Sequence, residues 1–81
     1  MSISVVKFEP LANKVGFTDT HLLICLADGR ELRVPIKWFP RLLSATAEQR
    51  ANWQLIGGGI GIHWPSVDED ISVENLLPPH S

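Results

Sequence analysis

Residues 21–36 read His-Leu-Leu-Ile-Cys-Leu-Ala-Asp-Gly-Arg-Glu-Leu-Arg-Val-Pro-Ile, and the reading of this stretch decides the fold. His21 to Ala27 is rich in β-formers, Glu31 to Ile36 alternates apolar with polar, and Asp28-Gly29 between them is a dipeptide that supplies positive φ for a tight turn. The stretch predicts an antiparallel hairpin. A two-residue type I′ turn sets Ala27 opposite Arg30, Cys25 opposite Leu32 and Leu23 opposite Val34. Cross-strand partners share a face, so this register makes Leu23, Cys25, Leu32, Val34 and Ile36 a core face. The other face sets Leu22, Ile24 and Leu26 against Glu31, Arg33 and Pro35. The incoming strand is thus apolar on both sides, which an antiparallel strand with one wet face should not be. The expectation is that another part of the domain, or a partner chain, covers Leu22, Ile24 and Leu26.

Upstream, Ile3 to Phe8 reads as a first strand stopped by Pro10, and Leu11 to Lys14 as a turn. A further strand begins around Val15 and Phe17, with Gly16 suggesting a bulge. Downstream, Pro40 suits the first turn of a helix, so Arg41 to Ala45 is expected to be helical. Thr46-Ala-Glu-Gln49 matches a capping box and predicts a helix from Ala47 to about Trp53, with Leu42, Leu43, Ala45 and Trp53 buried. Gly57-Gly58-Gly59 lies between Trp53–Ile56 and Ile60–Trp64 and predicts a second hairpin or a tight loop. Ser72 is a candidate N-cap for a short helix through Leu77, halted by Pro78-Pro79. The fold class expected is α+β: a small antiparallel sheet of hairpins with one or two short helices, forming a single domain over residues 1–81.

The totals narrow the function. A chain of 81 residues builds a thin core, and its single cysteine, Cys25, allows no intrachain disulfide. With no basic-apolar leader and no long apolar run, a cytoplasmic protein away from membranes is expected. The net charge of −2 weighs against a broad nucleic-acid face. All seven Lys and Arg lie between Lys7 and Arg50. Ala51 to Val67 carries no formal charge, and Asp68, Glu69, Asp70 and Glu74 follow with no base to offset them. An acidic end of this kind suits a basic protein partner.

The candidate chemistry is sparse. A phosphate loop needs Lys and Ser or Thr directly after its glycines, whereas Gly59-Ile60-Gly61 continues into strand-like sequence. His63 lacks a nucleophile and an orienting group at any readable spacing, and Cys25 on the expected core face would be inert. Cys25 and the histidines at 21, 63 and 80 show no zinc spacing, and Asp68-Glu69-Asp70 lacks the alternation of a calcium loop. No enzyme activity, cofactor or metal is therefore expected. Of Trp38, Trp53 and Trp64, the last, beside Pro65 and the acidic run, is expected to be exposed.

The motif Trp38-Phe39-Pro40-Arg41-Leu42, then Ala45, Arg50 and Trp53, then Gly59-Ile-Gly-Ile-His-Trp-Pro65, Asp68-Glu-Asp-Ile-Ser72 and Leu76-Leu77, resembles the bacterial domain-of-unknown-function family 2442. Asp28-Gly29-Arg30 and Pro35 fit as well, so the likeness runs from about Val5 to Leu77. The resemblance implies a compact α+β domain and no assigned catalytic residues. It also implies a small protein partner encoded by a neighbouring gene, in a pairing proposed to be a toxin–antitoxin module. Longer members add a helix-turn-helix domain not found in these 81 residues, which weighs against direct DNA binding.

The leading expectation is thus a non-enzymatic protein–protein interaction module, the antitoxin member of such a pair. It would be homodimeric and would bind a small basic protein through Trp38, Arg50, His63, Trp64, Asp68, Glu69 and Asp70. One alternative is a small ligand-binding domain or enzyme using His63, Arg50 and the acidic run. The other is a transcriptional regulator contacting nucleic acid through Lys7, Lys14, Arg30, Arg33, Lys37, Arg41 and Arg50.

Overall fold

A computed structural model describes residues 9–77, so the strand expected at Ile3–Phe8 and the stop at Pro78-Pro79 lie outside the described residues. The strands are β1 (Ala12–Phe17), β2 (His21–Leu26), β3 (Glu31–Pro35), β4 (Gln54–Ile56), β5 (Gly61–Trp64) and β6 (Glu69–Ser72). Between β3 and β4 lie a 3-10 turn (Ile36–Trp38), α1 (Pro40–Leu43) and α2 (Ala47–Ala51), and a second 3-10 turn (Glu74–Leu76) follows β6. The strands form two antiparallel three-stranded sheets, ordered β1-β2-β3 and β4-β5-β6. The architecture is α+β built from hairpins, with two sheets where one was expected.

The β2–β3 hairpin forms, but one residue out of the expected register. Leu22 pairs with Val34, Ile24 with Leu32 and Cys25 with Glu31. The amide of Leu26 donates to the Arg30 carbonyl (2.8 Å), which makes Ala27-Asp28-Gly29 a three-residue connection. The reason lies in the Asp28 side chain. Its carboxylate accepts from the Arg30 amide (3.1 Å) and Arg30 Nε, and also from the Glu9 amide (2.9 Å). An aspartate that bonds the backbone two residues on makes its own turn at negative φ. Only Gly29 takes positive φ (+94°), as in a turn with a G1 bulge.

Because side chains alternate across a strand, this one-residue difference exchanges the faces of β2. Leu22, Ile24 and Leu26 are buried, and Leu23 and Cys25 are half-buried on the outside, reversing the expected core face. Of the two covers expected for Leu22, Ile24 and Leu26, another part of the domain or a partner chain, the first is therefore found: they form the core of the chain itself. Each such side chain contributes about 1.5–3 kcal/mol when fully buried. These residues join Ala12, Val15, Val34, Ile36 and Leu42, Ile62, Trp64 and Ile71 from the second sheet, and Val73 just after it, in one apolar cluster.

Four local expectations are corrected in the same way. Leu11–Lys14 is not a turn, since β1 begins at Ala12; the ladder irregularity falls between Ala12 and Lys14 rather than at Gly16. In the single turn of α1, Leu42 points into the core and Leu43, about 100° further round the helix, is exposed. α2 stops at Ala51 rather than Trp53, although the Thr46–Gln49 capping box is present in both directions. Ser72 caps no helix: it ends β6, where Ile71 opposite Ile62 buries its side chain and the period of two prevails over the cap signal.

The second hairpin turns at Gly57, Gly58 and Gly59, all at positive φ. Gly59 also joins the sheets. Its carbonyl accepts from the Ala12 amide (2.8 Å), and a Cβ at position 59 would lie 2.3 Å from the Ala12 oxygen. Gly59→Ala is accordingly expected to cost more than about 2 kcal/mol, lowering the melting temperature by roughly 8 °C or more. Gly16→Ala meets no atom within 4 Å and should be neutral or stabilising in the same thermal melt.

The Arg30 guanidinium beside Asp28, with the amides that Asp28 accepts from, holds this carboxyl below its usual value. A depressed folded-state value means that the stabilisation is complete above about pH 4 and is lost as pH falls through the folded value. Melting temperature should therefore fall on acidification below about pH 4. Asp28→Asn should remove that part of the dependence, as measured by thermal melts across pH.

Candidate functional site

The residues singled out in the sequence divide into an internal set and a surface set. Arg50 and Trp64 are internal. The last turn of α2 aims the Arg50 side chain back at α1, where Nε and Nη2 donate to the carbonyls of Leu42 (2.9 Å) and Leu43 (3.1 Å). The guanidinium lies over the Phe17 ring, 5.6 Å from its centroid, and the edge of Phe17 meets Trp64 at 6.3 Å. Trp64 is wholly buried, contrary to expectation, and its indole Nε1–H donates to the Arg50 carbonyl (3.0 Å). A cleft of about 270 Å³ beside Phe17, Arg50 and Trp53 is what remains between β1 and α2.

Pairing of β5 with β6 brings His63 opposite Asp70, on the face of the sheet away from Ile62 and Ile71. Their side chains are hydrogen-bonded. An ionised carboxylate only accepts, so Nδ1–H is the donor and the Nε2 edge is left to act. Gln54 on β4 continues the row on the other side of His63. An imidazole oriented by a carboxylate is two parts of a general-base arrangement. His63 and Asp70 nevertheless line none of the three main clefts. Among the described residues, no cluster of three or more His, Cys, Asp or Glu side chains could hold a metal.

Asp68 sits in the β5–β6 turn at positive φ (+53°), a conformation that aspartate tolerates better than most residues. Its side chain is 90% exposed and that of Asp70 is 68% exposed. Glu69 is half-buried and accepts from the Asp70 amide. Arg41 of α1 reaches across to the Asp68 carbonyl and lies near its carboxylate. Trp38, on the 3-10 turn just before α1, is 61% exposed and is the solvent-facing tryptophan that Trp64 was expected to be. The structure thus unites His63 with Asp70 and links the acidic turn to α1. Arg41 is named in the sequence only as a family-motif residue and a nucleic-acid candidate; its link to the acidic turn is not legible there, because its partner is a backbone carbonyl 27 residues away. The exposed Ile56 and Ile60 were also missed, although the uncharged run around them was a usable signal.

If Arg50 is a structural clamp, Arg50→Lys should lose the paired carbonyl contacts and destabilise by about 1.5–3 kcal/mol. Trp64→Phe should cost less than Arg50→Ala, since it removes one hydrogen bond and keeps most of the apolar volume. Urea unfolding monitored by circular dichroism would rank the three variants.

The described residues include no helix long and apolar enough to cross a membrane. The chain is similar to a crystal structure of a protein of unknown function from Rhodospirillum rubrum, with 27% identity, a TM-score of 0.72, and coverage of 85% of this chain and 86% of that one. It is also similar to the solution structure of an uncharacterized protein from Chromobacterium violaceum, with 25% identity and a TM-score of 0.70, over 83% of this chain and 63% of that one. No curated protein matches it. Residues 12–80 match the family described as "Protein of unknown function (DUF2442)". With that match covering all six strands and both helices, the chain belongs to the DUF2442 family.

Proposed function

We propose that this domain is a non-enzymatic protein-binding module whose ligand is a small basic protein. In the finer form of the proposal, that protein is the product of a neighbouring gene, and the domain is the neutralising member of a cytoplasmic bacterial toxin–antitoxin module. The observation that carries the reading is the exposure of two neighbouring carboxylates, Asp68 on a turn held by its backbone geometry and by Arg41, and Asp70 on β6 just after it. Fixed, solvated carboxylates steer a basic partner and set its orientation. The exposed Trp38, on the element leading into α1, adds an aromatic anchor of the type that dominates interface energetics.

The His63–Asp70 pair favours a second reading, in which a small ligand or substrate is handled at the Nε2 edge of the imidazole. The nucleic-acid reading draws less support. Arg30, Arg41 and Arg50 are engaged with Asp28, Asp68 and the carbonyls ending α1.

Co-expression with the adjacent gene's product tests the first reading: the two should co-purify, and growth arrested by the partner should be rescued. In titration calorimetry, the double variant Asp68→Asn/Asp70→Asn should weaken binding by about tenfold or more and flatten its salt dependence, with the melt little changed. Equal affinity for wild type and variant would remove the acidic turn from the interface. A ligand bound by wild type and lost in His63→Ala, with the fold intact, would favour the second reading instead.

A further inference from the structure

Among the described residues, two sheets of three strands have four edges, and three of them carry features that discourage further pairing. β1 has Lys14 and the ladder irregularity beside Asn13. β3 has Glu31, Arg33 and Pro35. β6 has Glu69 and Asp70. Charges, proline and bulges are the usual means by which natural sheets keep an edge from adding another strand. β4 has none of them. Gln54, Leu55 and Ile56 pair regularly with β5, all three are exposed, and none is charged.

The row of side chains beneath this edge is also unfinished. Leu55, Ile62 and Ile71 lie opposite one another across β4, β5 and β6. Ile62 and Ile71 are buried, while Leu55, last in the row, is 38% exposed. Ile56 and Ile60, also exposed, gather round the glycine turn at the end of the strand: Ile60 lies where a Gly57 Cβ would be, and Ile56 flanks Gly61.

We propose that the β4 edge is the contact between two copies of this chain, which pair β4 with β4 antiparallel to form one six-stranded sheet. Charge selects this occupant. Antiparallel pairing of a strand with itself creates a two-fold axis, and the residue on that axis meets its own copy. A charge there would face a like charge. β4 lies inside the run Ala51–Val67, which contains no formal charge, and the acidic residues of the same sheet sit on β6 beyond β5. A basic protein drawn to Asp68 and Asp70 gains nothing from this neutral edge, so the two surfaces serve different partners. With the axis at Leu55, the two Leu55 side chains meet and the row continues as Ile71-Ile62-Leu55 into Leu55-Ile62-Ile71 of the second copy. Gln54 of each copy lies opposite Ile56 of the other. Strands of three residues, even with Ile60 added, bury less than the roughly 1,200 Å² of a standard interface. The dimer is therefore reversible, with a dissociation constant in the micromolar range or weaker.

Sedimentation velocity on the full chain, from about 5 µM to about 1 mM, reads this directly. Wild type should rise from monomer towards dimer mass across the series. Leu55→Lys, which sets two ammonium groups face to face at the axis, should stay monomeric with an unchanged circular dichroism spectrum. Ile56→Lys provides the same test should Leu55→Lys unfold. Leu43→Lys, on the exposed side of α1, should dimerise like wild type, and so should Asp68→Asn/Asp70→Asn, which separates this inference from the basic-partner reading. A wild type that is monomeric throughout overturns the proposal. So does a dimer that survives both β4 variants or is lost in Leu43→Lys.

Discussion

The guanidinium of Arg50 holds together elements that could not stand alone. Helices of four and five residues are far below the length at which a helix persists in water. What fixes them is one side chain that satisfies the carbonyls ending α1 and lies over Phe17 of β1, while its own carbonyl takes the indole proton of Trp64 on β5. The Phe17 and Trp64 rings meet edge to face inside this arrangement. Both sheets and both helices therefore converge on a single residue. It is a hydrogen-bonded cation with its planar face against an aromatic ring, a geometry that lysine does not reproduce.

This dependence explains why the sequence is legible in some places and opaque in others. The capping box at Thr46, the proline opening α1 and the positive φ of Gly57–Gly59 are set by chemistry within a few residues, and each lies where local rules put it. The β2–β3 register is different. Asp28-Gly29 fits a two-residue and a three-residue connection equally well by composition. The choice is made by an aspartate that bonds Arg30 and the distant Glu9 amide at once. The hydrogen bonds of one aspartate side chain thus go with the reversal of which face of β2 is the core. Trp64 failed for a related reason. Its neighbours Pro65 and Asp68 suggest surface, but its indole partner is supplied by a helix 14 residues earlier.

The candidate site follows the same division. His63 and Asp70 can be singled out as residue types but not as a pair, because nothing in their spacing says that β6 is a strand opposite β5 rather than the lead into a helix. Once Ile71 is seen to alternate with exposed neighbours, the pairing is forced. Arg50, one of the interface candidates, instead has its guanidinium on the carbonyls ending α1 and its own carbonyl on the Trp64 indole. The second sheet is left with contrasting margins, acidic along β6 and neutral along β4, with the imidazole of His63 midway between them.

The join between Ala12 and Gly59 has an implication for how such a domain drifts over time. A bond from one main chain to another makes no demand on side-chain chemistry, only on volume. Substitutions at exposed positions of the two sheets leave this bond untouched, so surfaces and partners can diversify while the frame persists. At residue 59 the opposite holds, because there is no space for even one additional carbon. The frame thus depends in part on a vacancy, which any side chain at that position would fill.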